Sequence, residues 1–193
     1  MNLILASSSK SRFHILSKLQ VPFAQVIPDI DESVLPGEEP IAHVLRLAVN
    51  KAKKVAETHQ NALIIAADSV AILNNEIVSK PETYENAVKQ LQHASGNIIY
   101  FHTGLCLINS KTGNIQTAVE TIKVHFKQLS LQSIKAYLEK DKPFDCAGSI
   151  KAEGLGIALI EKFDCDDPNS LIGLPLIKLI SMLENEGFFV LDF

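Results

Sequence analysis

Asp68 interrupts the most apolar stretch of this 193-residue chain. Residues 62–67, ALIIAA, are all apolar, and the chain turns apolar again at Val70. An ionised carboxylate is costly to bury without a partner, so Asp68 calls for a compensating cation. Asp68 could cap a helix, but no helical pattern starts there. The pattern instead reads as a buried strand that ends at Asp68, and strand ends in open α/β sheets are where ligands bind. Lys51 stands out among the cations. At 100° per residue it falls with Val44, Ala48 and Val55 on the apolar stripe of a helical segment, although a lysine on such a stripe can also snorkel to water. Glu32 adds a second carboxylate from the acidic loop PDIDESVLPGEEP. Lys80 follows the apolar run EIVSKP, where it could equally be plain surface.

A second group of candidates lies in ASSSKSR, before a helical pattern with Phe13, Leu16 and Leu19 at helical spacing. A helix N-terminus offers unpaired N–H groups and a positive dipole end, which suits phosphate. Ser9 brings a hydroxyl there and Arg12 a guanidinium. Capping by Ser9 or Ser11 is the commoner use of such serines. An arginine in a first turn opposes the dipole, which points to an external anion. Carboxylates for Mg²⁺ or Mn²⁺, with Lys and Arg for phosphate charge, together suit a metal–triphosphate. A carboxylate beside the metal could also take a proton from an attacking water.

Other chemistries find little support. No G-x-x-x-x-G-K-[ST] occurs, and GLGIAL at 154–159 lacks the last glycine of a dinucleotide fingerprint and leads into a strand pattern. The six histidines show no zinc-ligand spacing, and no G-x-S-x-G elbow is present. The formal net charge is −4, which argues against binding a nucleic-acid polymer. No apolar run reaches the 18–20 or so residues of a membrane span, and the N-terminal pattern is the reverse of a secretory signal, so a cytoplasmic location is expected. The three cysteines form no C-x-x-C pair and read as reduced, mostly buried thiols.

The elements that must position these groups follow from periodicity. Strands are expected at 2–6, 62–67 and 156–163, and helices over 11–20, 41–59 (with Ile41, Val44, Ala48, Ala52 and Val55 on one stripe), 82–96, 131–140 and 173–187. Pro175 is placed in the first turn of the last helix. Two long strands flank NSKTGN as a hairpin, and Ser130 caps the helix that follows. Helices alternate with strands in the first half and a hairpin lies in the second. The expectation is therefore one α/β domain over residues 1–193, a mixed sheet flanked by helices.

In their order along the chain, LILASSSKSRFHILSKL, DIDES, RLAVNKAKKVA, LIIAADSV, VSKP, ASGN, TGLCL, CAGSIKAEGLG and DPNSLIGLPL resemble the Maf family of nucleoside triphosphate pyrophosphatases. The resemblance covers nearly the whole chain. It implies two lobes around a deep cleft, as in the inosine triphosphatase-like fold, often a homodimer, and a divalent metal. The reaction implied converts a nucleoside triphosphate and water to the monophosphate and pyrophosphate. By motif, Asp68 matches the family's proton acceptor and Glu32 its companion metal ligand, with Ser9, Arg12, Lys51 and Lys80 at triphosphate-binding positions. Ser11, Ser69 and Glu153 fall at specificity positions.

The loop GSIKAEGLG resembles that of the branch acting on 7-methyl-GTP, with Glu153 as base reader; the branch acting on UTP and dTTP carries Gln there. A carboxylate suits the donor edge of guanine and the cationic methylated ring. Ser9-Lys10-Ser11-Arg12 departs from the family's serine-proline-arginine-arginine run, and Ser11 and Ser69 depart from the 7-methyl-GTP pattern. A UTP/dTTP pyrophosphatase and a non-catalytic nucleotide-binding regulator of septum formation are the alternatives.

Overall fold

The computed structural model describes residues 1–192. Seven strands form one mixed sheet: β1 (Asn2–Ala6), β2 (Ala24–Val26), β3 (Ala62–Leu73), β4 (Glu76–Val78), β5 (Ile98–Asn109), β6 (Asn114–Phe126) and β7 (Ile160–Asp164). Their order is β2-β1-β3-β5-β6-β7, with β4 also paired to β3. β1 runs parallel to β2 and to β3, whereas β4 and β7 pair antiparallel. Among the described residues six α-helices accompany the sheet: α1 (Lys10–Ser17), α2 (Pro40–Ala56), α3 (Tyr84–Ala94), α4 (Leu131–Asp141), the short α5 (Asn169–Ile172) and α6 (Leu176–Asn185). This is the expected α/β architecture with a mixed sheet.

The chain divides into two compact units. The first comprises residues 1–69, 103–120 and 167–193, and the second residues 70–102 and 121–166.

In the first unit, strand periodicity sorts the core onto two faces. Leu3 and Leu5 of β1, Leu63, Ile65 and Ala67 of β3, and Leu105 and Leu107 of β5 pack with Ile15 and Leu16 of α1 and Leu179 and Leu183 of α6. Their neighbours Ile4, Ala6, Ile64, Ala66, Cys106 and Ile108 pack with Ala48, Ala52 and Val55 of α2. Both faces are covered, so these strands read as continuous apolar runs and not as alternating ones. Gly104 permits the close approach of β5 to α2, since a Cβ there would lie 2.6 Å from the Val44 carbonyl oxygen. Burial pushes the Cys106 thiol up to about 12, which keeps it protonated and inert.

In the second unit, Thr83 and Ser130 cap α3 and α4 by accepting from the amides of Asn86 and Ser133. Ser149, buried and left-handed at φ 57°, donates to Gln90 Oε1 of α3 at 2.5 Å. The Tyr137 hydroxyl of α4 accepts from the Lys151 amide at 2.9 Å.

Several expectations are corrected. β3 does not end at Asp68. It runs on to Leu73, because Ala71–Leu73 pair with β4 through a turn at Asn74 and Asn75, both at positive φ. Residues 155–159 wind as a 3₁₀ turn, so the strand expected at 156–163 is confined to β7; Gly156 packs so tightly on the Lys151 carbonyl that a Cβ would lie 2.4 Å from it. Ile41 is 45% exposed, whereas Val44, Ala48, Ala52 and Val55 of the same stripe are buried. Phe13 is 37% exposed and packs on Phe23, with ring centroids 5.0 Å apart. Pro175 is the N-cap of α6 and lies outside its first turn. Of the cysteines only Cys106 is buried; Cys146 is half-buried and Cys165 exposed, and none is in a disulfide.

Candidate active site

Asp68 sits at residue 7 of the 12 in β3, between the part paired to β1 and the part paired to β4. The ladder with β1 has its last register pair at Leu5 and Ile65, and the ladder with β4 begins at Ala71. Alternation puts Asp68 on the face of Ile64 and Ala66, beneath α2. Lys51 reaches it from that helix. Its Nζ donates to Asp68 Oδ1 at 2.7 Å and pairs with Glu32 Oε1 at 3.1 Å. Both Lys51 and Asp68 are buried, while the Glu32 side chain is 55% exposed. Asp68 Oδ2 accepts no hydrogen bond among the described residues.

The loop carrying Glu32 is fastened by Arg46 of α2. Arg46 donates to both oxygens of Glu38, at 2.5 and 2.7 Å, and its Nη2 also donates to the Ser33 carbonyl at 2.9 Å. Glu38 Oε2 also meets His43 Nδ1 at 2.9 Å and accepts the Leu35 amide at 3.1 Å. These bonds, Arg46 first, hold the Glu38 carboxyl far below its ordinary range against the opposing effect of burial.

On the other face, α1 begins at a cap. Ser9 Oγ accepts the Arg12 amide at 3.2 Å, and the Ser9 amide donates to Ser7 Oγ at 3.1 Å. Ser9 therefore caps its helix, and no hydrogen bond reaches the amides of Lys10 and Ser11 among the described residues. The half-buried Arg12 side chain turns to the C-terminal end of α5. Its Nε donates to the Gly173 carbonyl at 2.8 Å and its Nη2 to Ser69 Oγ at 3.2 Å. The cost of an arginine in a first turn is thus answered partly by a carbonyl at another helix's end. Burial lowers the Arg12 pKa, opposed by the nearby charges of Asp68 and Glu32.

Glu32 and Asp68 are hard oxygen donors gathered on one ammonium, which fits a divalent cation. Among the described residues no cluster of three or more His, Cys, Asp or Glu could hold a metal alone. Two carboxylates suit Mg²⁺ or Mn²⁺ only where phosphate and water oxygens complete the shell. No described helix is long and apolar enough to cross a membrane.

A family model described as Maf-like protein matches residues 2–186. The chain belongs to that family. Three relatives carry the name 7-methyl-GTP pyrophosphatase. The protein of Nitrosococcus oceani is 50% identical over 98% of this chain and 95% of its own. That of Methylobacillus flagellatus is 51% identical over 96% of each. That of Aliivibrio fischeri is 51% identical over 98% of each. The solved structure of the Staphylococcus aureus Ham1 protein overlays 66% of this chain and 73% of its own, at 16% identity and a TM-score of 0.47.

In this Maf-like chain the candidates are divided. Ser9, Ser11, Arg12, Glu32, Lys51, Asp68 and Ser69 lie in the first unit, and Lys80 and Glu153 in the second. Lys80 and Glu153 are exposed, and neither makes a hydrogen bond among the described residues. Sequence reading gave no role to Arg46, Glu38, Thr103 or Gly173. Arg46 stands five residues before Lys51 in RLAVNK, and the i, i+8 pair Glu38–Arg46 spans a loop-to-helix junction that no helical rule covers.

Proposed function

We propose that this protein hydrolyses a nucleoside triphosphate, 7-methyl-GTP, to the monophosphate and pyrophosphate. The observation that carries the reading is the buried Lys51–Asp68 pair, open at Asp68 Oδ2 and flanked by Glu32. The names of relatives about half identical over nearly the full length support the substrate.

In this mechanism Asp68 Oδ2 accepts a proton from water as the water oxygen bonds to the α-phosphorus. The bond from that phosphorus to the bridging oxygen breaks, and pyrophosphate leaves with the electron pair. Lys51, Lys80 and Arg12 offset the phosphate charge, and the amides of Lys10 and Ser11 suit an anion at the start of α1. Glu32 and Asp68 would hold Mg²⁺ or Mn²⁺, which supplies Lewis-acid polarisation of the phosphate oxygens when bound. Glu153 accepts hydrogen bonds from the donor edge of the methylated guanine.

The test is a panel of 7-methyl-GTP, GTP, UTP and dTTP with Mg²⁺ or Mn²⁺, read by pyrophosphate release. The expected outcome is the highest kcat/KM with 7-methyl-GTP. A higher value with UTP or dTTP overturns the substrate, and no pyrophosphate from any of the four overturns the reaction.

A further inference from the structure

Ser69 is the neighbour of Asp68, yet its hydroxyl is committed to the protein. Thr103 of β5, only 1% exposed, lies 3.0 Å from Ser69 Oγ and also donates to the Ser170 carbonyl at 3.0 Å. A carbonyl can only accept, so the single Thr103 proton points at Ser170. Thr103 Oγ1 must then accept from Ser69, which spends the single Ser69 proton. Ser69 is left an acceptor, and Arg12 Nη2 donates to it. The chain has one direction: Arg12 to Ser69 to Thr103 to the Ser170 carbonyl. Its far end and the other Arg12 acceptor, the Gly173 carbonyl, belong to one short turn, 169–173. Gly173 stands at φ 115°, where a Cβ would also crowd Arg12 Nε at 3.2 Å.

Guanidinium has five N–H donors, and two are used here, which leaves three on the Nη1–Nη2 side. That fork is the edge that grips a phosphate bidentately. We propose that Thr103 is a positioning residue which, through Ser69 and with the 169–173 turn, orients the Arg12 fork toward the triphosphate. Ser69 in this chain therefore serves the arginine and does not read the base. The proposal rests on the nucleotide reading above for its substrate, but the arginine fork itself requires only a polyphosphate.

Thr103→Val removes the hydroxyl at nearly constant volume, and Thr103→Ser keeps it. Ser69→Ala breaks the same chain at a half-buried position, which guards against a Thr103→Val protein that fails to fold. Binding of inorganic tripolyphosphate is measured by calorimetry beside thermal unfolding. The parent should bind, Thr103→Val and Ser69→Ala should each bind about tenfold more weakly, and Thr103→Ser should bind within twofold of the parent. The double variant should lose no more than either single one, as members of one chain do. In turnover, KM should rise by the same factor for 7-methyl-GTP and UTP, with their kcat/KM ratio unchanged. Parental tripolyphosphate affinity in a folded Ser69→Ala or Thr103→Val protein overturns the proposal, as does no binding by the parent. A Ser69→Ala protein with a changed substrate ratio returns Ser69 to base reading. If the parent turned over no nucleotide at all, the function would fall and the tripolyphosphate measurements would still decide the arginine fork.

Discussion

Asp68 and Ser69, adjacent in β3, serve opposite faces of the sheet. Asp68 Oδ1 accepts from Lys51 Nζ at 2.7 Å on the α2 face, and Ser69 Oγ accepts from Arg12 Nη2 at 3.2 Å on the α1 face. Two adjacent residues thus tie Lys51 and Arg12 to the same strand. The period of two makes this unavoidable, since Ala66 and Ala67 already belong to separate core clusters.

Asp68→Asn is nearly isosteric, and its amide oxygen can still accept from Lys51. The protein should unfold near the parental temperature, while pyrophosphate release falls by about 10²–10⁴ through loss of a positioned base. Near-parental turnover in a folded protein would mean that Asp68 is structural.

Lys51→Met keeps most of the length of the side chain and removes its charge. Asp68 then loses its hydrogen-bonded cation, which costs about 1–3 kcal/mol, less than for a sealed pair because Glu32 opens to water. Adding Asp68→Asn should recover part of that loss, because the remaining group is neutral. Thermal melts of the single and double variants check this. A double variant less stable than Lys51→Met alone would contradict the pairing described.

Arg46→Gln should loosen the loop that carries Glu32 without touching Arg12, Lys51 or Lys80. We expect a higher Mg²⁺ concentration for half-maximal activity, with the maximal rate at saturating Mg²⁺ within a few fold. An unchanged Mg²⁺ requirement would sever Arg46 from Glu32.

The same fastening has a pH signature. The Glu38 carboxyl sits below its ordinary value of 4.5 when folded, so its contribution to stability is fully present above 4.5. It is lost as pH falls from there through the lowered folded value. Acid melts of the parent should steepen below about 4.5, and Glu38→Gln should flatten that limb. Parallel acid limbs would show that other carboxylates dominate.

Glu153→Gln exchanges an acceptor-only group for one that also donates, which suits uracil oxygens better than the guanine edge. The kcat/KM ratio of 7-methyl-GTP to UTP should fall by about tenfold. An unchanged ratio would remove Glu153 from base recognition.

What the sequence determined by itself was mostly local. The apolar stripe of α2 placed Lys51 inward, because helical periodicity is a property of neighbouring residues. The cap at Ser130 and the long hairpin strands followed from short-range chemistry as well. The motif order led to the family because nine short pieces in sequence are specific together. Other features were set by chain segments far apart. β3 continued past Asp68 because a partner strand met it after the Asn74–Asn75 turn, and strand length depends on that partner. Ser9 proved a cap, and Arg12 reached across 161 residues to the Gly173 carbonyl. Ser69 could not be assigned from its own type, since the direction of its hydroxyl is decided by Thr103 and Ser170. A hydroxyl donates once, and only the folded chain specifies to which acceptor.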